Sequence, residues 1–467
     1  METINIKFNV GDVVVDGKRY KSNFIEDLAL KFCKLVNSTG NDYIVLLDNK
    51  NIWTFSCMLA TIVCKKTFVF ISDSLSENSK ENILNELEVN QIYDEEYLRE
   101  YYEHNKEYKE YGSLQEQWDK TNRDFISYII YTSGTTGKPK GVMVPFSSVY
   151  NTISGMNELY RITKEYTILN LARWSFDLSI FDAFSTILYG ATMVCINDPQ
   201  NAQHVAKAIK LNKVTIWNST PQVLGIFVKY LKLFNKAKIP TIRLTLISGD
   251  KFEKYICDLA ILYFTNSKII SLGGATECSI WSVKYDCTEG FDNKYAPYGY
   301  ALPNQKIEIS AEENNKNEIV ISGNSLSAGY YHNDIQTKKH FKSENGVKKY
   351  YTGDIGYIDK NGCMYIRGRK DSQKKISGKR YVLDDISSLF YKNGGQSAVC
   401  ITNEAQTKLA VFIKKGSISK ENIRSIISKN SLSDVLNVRD VIELSDFPLS
   451  QNGKINEPKL LEIWNEK

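Results

Sequence analysis

Residues 131–141 read Tyr-Thr-Ser-Gly-Thr-Thr-Gly-Lys-Pro-Lys-Gly, directly after the apolar run Phe125-Ile126-Ser127-Tyr128-Ile129-Ile130. The run has the length and composition of a buried strand. Three glycines in the stretch let the backbone turn sharply and bring amide N–H groups close to an anion. Four Ser/Thr hydroxyls can donate to phosphate oxygens, and two lysines supply charge. A strand that runs into such a turn predicts a polyphosphate cradle on the following loop. Its candidate contacts are Thr132, Ser133, Gly134, Thr135, Thr136, Gly137 and Lys140. The spacing differs from Gly-x-x-x-x-Gly-Lys-Ser/Thr, because Gly134 and Gly137 stand too close together and Lys140 follows a proline.

On either side of this stretch, short apolar runs alternate with helical patterns. Before it, Tyr43–Leu47 and Thr67–Ile71 read as strands, and residues 24–36 and 52–64 as helices. After it come apparent strands at 166–170, 192–196, 214–217, 244–247 and 268–272, separated by helical stretches near 177–188, 202–210 and 223–234. Such alternation predicts an α/β fold of layered sheets, with ligands held beyond the carboxyl ends of the strands. Residues 82–122, charged and rich in tyrosine, read as a solvated helix and an exposed connection. Residues 291–367 alternate at period two and read as β-rich. The polar break Gly368-Arg369-Lys370-Asp371 separates a large N-terminal domain, 1–370, from a small α+β C-terminal domain, 371–467.

Composition narrows the function. A length of 467 residues suits two or more domains, and 42% hydrophobic with 24% charged residues is ordinary for a globular chain. The net charge of +5 is spread along the chain without a basic block, which argues against nucleic-acid binding. No apolar run approaches the roughly 18–20 residues that span a bilayer, and the expectation is a soluble, cytoplasmic protein without a membrane partner. Nine irregularly spaced cysteines and four scattered histidines suggest reduced, mostly buried thiols and no metal cluster.

Four further segments carry chemistry. Ser271-Leu272-Gly273-Gly274-Ala275-Thr276-Glu277 follows a strand and ends in a hydroxyl and a carboxylate, suited to a phosphate and its Mg²⁺. Tyr351-Thr352-Gly353-Asp354 places a carboxylate after a turn. Arg173-Trp174-Ser175-Phe176-Asp177 sets an acid at the start of a helical stretch, where it could be an N-cap or pair with a buried cation. Pro448-Leu449-Ser450-Gln451-Asn452-Gly453-Lys454 has an Asn-Gly turn that would project Lys454.

Taken with the cradle, these segments resemble, in order, the motifs of adenylate-forming enzymes: acyl-CoA synthetases, luciferases and the adenylation domains of nonribosomal peptide synthetases. The resemblance implies ATP and Mg²⁺ as cofactors. It assigns Glu277 to the metal and to catalysis with Thr276, and Asp354 to the ribose. It also assigns Gly249, Gly273, Gly274, Ala275 and Arg369 to the nucleotide, Asp371 to a hinge, and Lys454 to the reacting carboxylate. Gly273 departs from the pattern, since many peptide-synthetase domains carry there a tyrosine that stacks on adenine. Residues 381–385, Tyr-Val-Leu-Asp-Asp, replace a more glutamate-rich run, and the chain is shorter at its start than many relatives.

Asp177 matches the aspartate that holds the substrate amine in amino-acid-activating domains, and Phe176 the aromatic beside the carboxylate. The remaining pocket positions align to Leu178, Phe181, Asn218, Leu246, Ser248, Leu272, Ile280 and Trp281. This set resembles cysteine-activating domains, with Phe181 where tyrosine is usual, and implies L-cysteine, then serine or another small residue. The implied reaction forms aminoacyl-AMP and pyrophosphate, then transfers the aminoacyl group to the phosphopantetheine thiol of a carrier protein. With no carrier module after Lys467, the carrier is expected in trans or on a removed domain. An acyl- or aryl-CoA synthetase, or an inactive nucleotide-binding relative, remains as an alternative.

Overall fold

The computed structural model describes residues 6–73, 75–106, 112–119, 124–132, 140–312, 317–370, 373–376, 379–394, 397–405, 407–430, 432–450 and 455–466. The chain divides into two compact units, one of 1–307 with 321–351 and one of 308–320 with 352–467.

Two sheets organise the first unit. Strands β1 (Val13–Val15) and β2 (Lys18–Tyr20) open the chain, followed by β3 (Tyr43–Leu47), β4 (Thr67–Ile71), β5 (Ile92–Tyr93), β6 (Ile126–Thr132) and β7 (Lys140–Pro145). Strands β5, β3, β4 and β6 lie side by side in parallel; β7 then pairs antiparallel with β6, and Gly329–Tyr330 with β7. Every residue of β4 is buried, as parallel strands covered on both faces require.

The second sheet adds β8 (Thr167–Asn170), β9 (Thr192–Cys195), β10 (Ile216–Ser219), β11 (Leu244–Ile247), β12 (Lys268–Gly273), β13 (Val283–Asp286) and β14 (Tyr300–Ala301) to the first two strands. Its order is β14-β13-β12-β11-β10-β8-β9-β1-β2, parallel from β12 to β1 and antiparallel at both edges. The helices Ala202–Asn212, Pro221–Leu233 and Lys254–Tyr263 cover one face through Trp217, Phe227 and Phe264. Trp217 stacks on Phe227 with centroids 5.0 Å apart.

In the second unit, strands Ala398–Thr402, Leu409–Lys414 and Val441–Leu444 form a three-stranded sheet. Helices Leu383–Lys392 and Lys420–Lys429 pack through Ile386, Phe390, Ile423 and Ile427 in one core cluster. Leu460 of the Glu457–Asn465 helix joins Ile401, Phe412 and Ile442 in another. This is the α+β arrangement expected for the C-terminal part.

Differences from expectation lie where local pattern is weak. Residues 82–122 contain the helices Glu95–His104 and Leu114–Asp119 and the short strand β5; one apolar face, with Leu98 fully buried, sets the first of them. The expected break at 368–371 begins inside regular structure, since Met364–Arg369 is a strand. All nine cysteines are free thiols, eight of them buried.

Candidate active site

The candidate residues of the first unit gather at the carboxyl ends of parallel strands, as strand–loop–helix chemistry predicts. Beyond β8 lies the segment 173–177, beyond β10 Thr220, beyond β11 Ser248 and Gly249, and beyond β12 the run Gly274–Glu277. Tyr131 and Thr132 end β6 and pair with Gly141 and Lys140 at the start of β7. The described residues that flank the cradle therefore belong to one pair of strands. Ser133, Gly134, Thr135, Thr136 and Gly137 lie outside the described residues.

Asp177 stands at the N-cap position of the helix Leu178–Tyr189, yet its side chain makes no cap hydrogen bond. Instead its Oδ2 accepts from the Thr276 hydroxyl at 2.7 Å, and the residue is 6% exposed. A buried carboxylate is costly unless it is hydrogen-bonded or paired, and the Thr276 hydroxyl is one such partner. Burial, then the charge of Asp177, pushes the Tyr128 hydroxyl well up, so it stays neutral beside the acid.

The segment leading to Asp177 is pinned by a residue that the sequence reading passed over. Asp48, just beyond the end of β3, accepts from the Trp174 N–H at 2.9 Å and from the Ser175 N–H and hydroxyl at 3.2 and 2.5 Å. Arg173 donates to Ser72 and pairs with Asp73. An acid immediately after an apolar strand was the available signal for Asp48.

Around Asp177 the expected pocket positions meet. The Phe181 and Trp281 rings lie 5.0 Å apart, and Trp281 Nε1 donates to Ser248 Oγ at 2.8 Å. Asn218 Nδ2 donates to the Leu178 carbonyl at 3.1 Å, and Leu246 is the register partner of Asn218. Phe176 packs against Gly249, where a Cβ would lie 3.3 Å from its Cζ; Gly249 also has φ +88°. Leu272 and Ile280 are buried. Ser279 and Ile280 both have positive φ, 54° and 73°. That is strained for a β-branched residue, and such strain concentrates at functional sites.

Gly273 and Gly274 explain themselves sterically. A Cβ on Gly273 would lie 2.0 Å from Cε2 of Tyr298, so that ring rests directly on its backbone. A Cβ on Gly274 would lie 2.4 Å from the Ile280 carbonyl oxygen and 2.7 Å from the Trp281 Cα. Ala275 leads into the short 3-10 turn Thr276–Cys278.

Glu277 and Lys140 are joined through Tyr330, which the sequence reading also missed. The Tyr330 hydroxyl donates to Glu277 Oε1 at 2.6 Å, and Lys140 Nζ lies 5.5 Å from the centre of the same ring. Lys140 Nζ also donates to Gln336 Oε1 at 3.2 Å. Burial first, then the Glu277 charge, pushes the Tyr330 hydroxyl far up, keeping it a neutral donor. No group of three or more His, Cys, Asp or Glu assembles into a metal cage among the described residues. A cation at Glu277 would be held by one carboxylate, the rest of its shell coming from phosphate and water, as suits Mg²⁺.

In the second unit, Asp354 pairs in register with Arg369 across a hairpin, and Arg369 Nε lies 3.5 Å from Asp354 Oδ1. Thr352 donates to the Ile319 carbonyl and accepts from the Asp354 N–H, fixing the turn. Leu449 bridges to Ile455, and the Asn456 N–H donates to the Pro448 carbonyl at 2.8 Å. The chain on either side of 451–454 is thereby drawn together. Lys454 itself and Asp371 lie outside the described residues.

Comparison with known proteins places this geometry. The AMP-binding enzyme family matches residues 56–331, more than half of the chain. The chain is 32% identical over 362 residues to the anguibactin system regulator of Vibrio anguillarum, covering 73% of this chain and about a third (34%) of that protein's length. It is 29% identical to a D-alanine–D-alanyl carrier protein ligase of Lactococcus lactis, covering 72% of this chain and 70% of that one. Among solved structures, a four-domain nonribosomal peptide synthetase bound to AMP and glycine superposes with a TM-score of 0.75 at 18% identity, over 96% of this chain and 35% of that one. The α/β fold expected from the sequence is the fold of these enzymes. No helix among the described residues is long and apolar enough to cross a membrane.

Proposed function

The chain belongs to the AMP-binding enzyme family of adenylate-forming enzymes, with nonribosomal peptide synthetase adenylation domains among its relatives, and we propose that it activates a small α-amino acid. L-Cysteine is the first substrate assigned, serine or another small residue the next. The observation that carries this reading is Asp177. Its buried carboxylate leaves the N-cap role and lies beside a mostly apolar cluster of Phe181, Trp281 and Leu178 with Ser248 and Asn218. An α-ammonium group is a suitable partner for this carboxylate, and the residues assigned to the lining carry no charge to pair with a charged side chain.

In the proposed reaction the amino-acid carboxylate attacks the α-phosphorus of ATP in line and pyrophosphate leaves, giving aminoacyl-AMP. The cradle 132–137 with Lys140 holds the β- and γ-phosphates, and Thr276 contacts phosphate. Glu277, oriented by Tyr330, offers one oxygen to Mg²⁺, which screens phosphate charge when bound. Asp354 holds the ribose hydroxyls, and Arg369 lies on the nucleotide. Lys454 offsets the repulsion between the two anions as they approach.

The part 371–467 then turns about Asp371, exchanging Lys454 for the entry of a carrier-protein phosphopantetheine thiol. The thiol displaces AMP and forms a thioester. The name of the Lactococcus relative, a carrier protein ligase, supports this second step. The chain spans a minor part of several longer relatives, so the carrier is assigned no place on this sequence.

Lys454→Ala tests the chemistry. Amino-acid-dependent exchange of pyrophosphate into ATP falls about 100-fold or more, the size expected for losing charge stabilisation in the transition state. Exchange at the normal rate would refute the lysine's role.

A further inference from the structure

Beneath the candidate pocket lies a set of buried charges that the reaction above does not use. Asp182, fully buried one turn beyond Leu178, accepts from Asn218 Nδ2 on one oxygen and from Asn170 Nδ2 on the other, both at 2.9 Å. Asn170 and Asn218 are register partners on β8 and β10, which brings both amides to one carboxylate. Lys50, 5% exposed, donates to the Asn170 and Ile196 carbonyls at 3.1 and 2.8 Å, tying together the carboxyl ends of β8 and β9. Burial holds Lys50 down to about 8 and pushes Asp182 up to about 7, the latter against the pull of the two asparagines and Lys50.

The network fixes the orientation of Asn218. One of its amide N–H groups goes to Asp182 Oδ1 and the other to the Leu178 carbonyl. A carboxylate and a carbonyl are both acceptors, so the end facing them is the NH₂. Asn218 Oδ1 is therefore turned the other way, and it is buried with no hydrogen-bond partner among the described residues. A buried acceptor left unmade is costly, and a ligand that donates to it recovers the loss. Asn218 stands at the same strand ends as Asp177: its amide holds the carbonyl of Leu178, the residue after Asp177, and its register partner Leu246 stands two residues before Ser248.

We infer that Asp182 is a positioning residue for specificity: it holds Asn218 so that Oδ1 accepts from the side chain of the bound amino acid. The site thereby selects side chains that end in a donor, a thiol or a hydroxyl, over a methyl group of the same size. This rests on the amino-acid reading above and goes beyond it, because it concerns how the side chain is chosen and not how the amine is held. Lys50 balances the buried charge and keeps the strand ends in place.

The test uses the full chain and pyrophosphate exchange with three substrates: L-cysteine, L-serine and L-2-aminobutyrate, whose terminal methyl replaces the thiol or hydroxyl. The wild-type protein favours at least one donor substrate over 2-aminobutyrate by about tenfold or more in kcat/KM, as expected for a site built around a substrate hydrogen bond. In Asp182→Leu, which removes both acceptor oxygens, the Asn218 amide is held by the Leu178 carbonyl alone and is free to turn its NH₂ to the substrate. The preference collapses to within about threefold, through loss on the donor substrate, while the 2-aminobutyrate value stays within the same factor. A merely structural role would lower all three values equally and leave the ratio standing, which would overturn the inference. If the variant does not fold, the wild-type ratio decides, and a ratio near one overturns it. Exchange with none of the amino acids would remove the amino-acid reading itself, an outcome distinct from exchange without selectivity.

Discussion

Asp177 carries more of the functional reading than any other described residue. From sequence it had two roles, helix cap or amine ligand. The geometry takes the side chain away from the cap and gives one oxygen to Thr276 at 2.7 Å. At 6% exposure an ionised carboxylate costs several kcal/mol to desolvate, and a substrate ammonium is one partner that would help offset it. Asp177→Ala is expected to lower kcat/KM for amino-acid activation about 100-fold or more, roughly 2.7 kcal/mol of transition-state stabilisation. Affinity for AMP, measured by calorimetry, changes by much less. Equal losses in both would mean that Asp177 supports the nucleotide side through Thr276 and not the amine. Asp177 stood out in the sequence because the acid sits next to aromatic residues in a motif. Asp48, Asp182 and Tyr330 did not, because each acts on a partner in another element, 126, 12 and 53 positions away. The one local hint for Asp182 was a carboxylate within an otherwise apolar helical stretch.

At the scale of elements, the turn from β12 to β13 is the tightest part of the site. Gly274 passes against the backbone of 280 and 281, and Ile280 is held at φ +73°. A methyl group there has no flexible side-chain end to push aside. Gly274→Ala is expected to lower stability by about 1–3 kcal/mol, the usual cost of overpacking, and to reduce activity further by moving Trp281 away from Ser248. Thermal unfolding and exchange kinetics together check this; a wild-type midpoint would show that the turn relaxes freely. Buried parallel strands such as β4 and β11 could be read from sequence because they are continuous apolar runs. The strand β1 could not: three valines acquire their meaning from pairing with β9, about 180 residues later. The strand Met364–Arg369 was read as ending early because its last residues are glycine and charge, the composition of a turn.

For the whole molecule, the α/β class followed from alternation, while the order β14-β13-β12-β11-β10-β8-β9-β1-β2 did not, since strand neighbours are chosen by tertiary packing. That order matters to function. It sets β8, β10, β11 and β12 next to one another, so that Asp177, Asn218, Ser248 and Thr276, spread over a hundred residues, share one end of one sheet. The central claim is that this end activates an acid bearing an α-amine. Its most direct test is ATP–pyrophosphate exchange with the purified chain, run across the common amino acids and a set of fatty and aryl acids without an amine. The account predicts exchange that depends on an added amino acid, highest with cysteine or serine, and none above background with the acids that lack the amine. Exchange with aryl or fatty acids equal to that with any amino acid would contradict it.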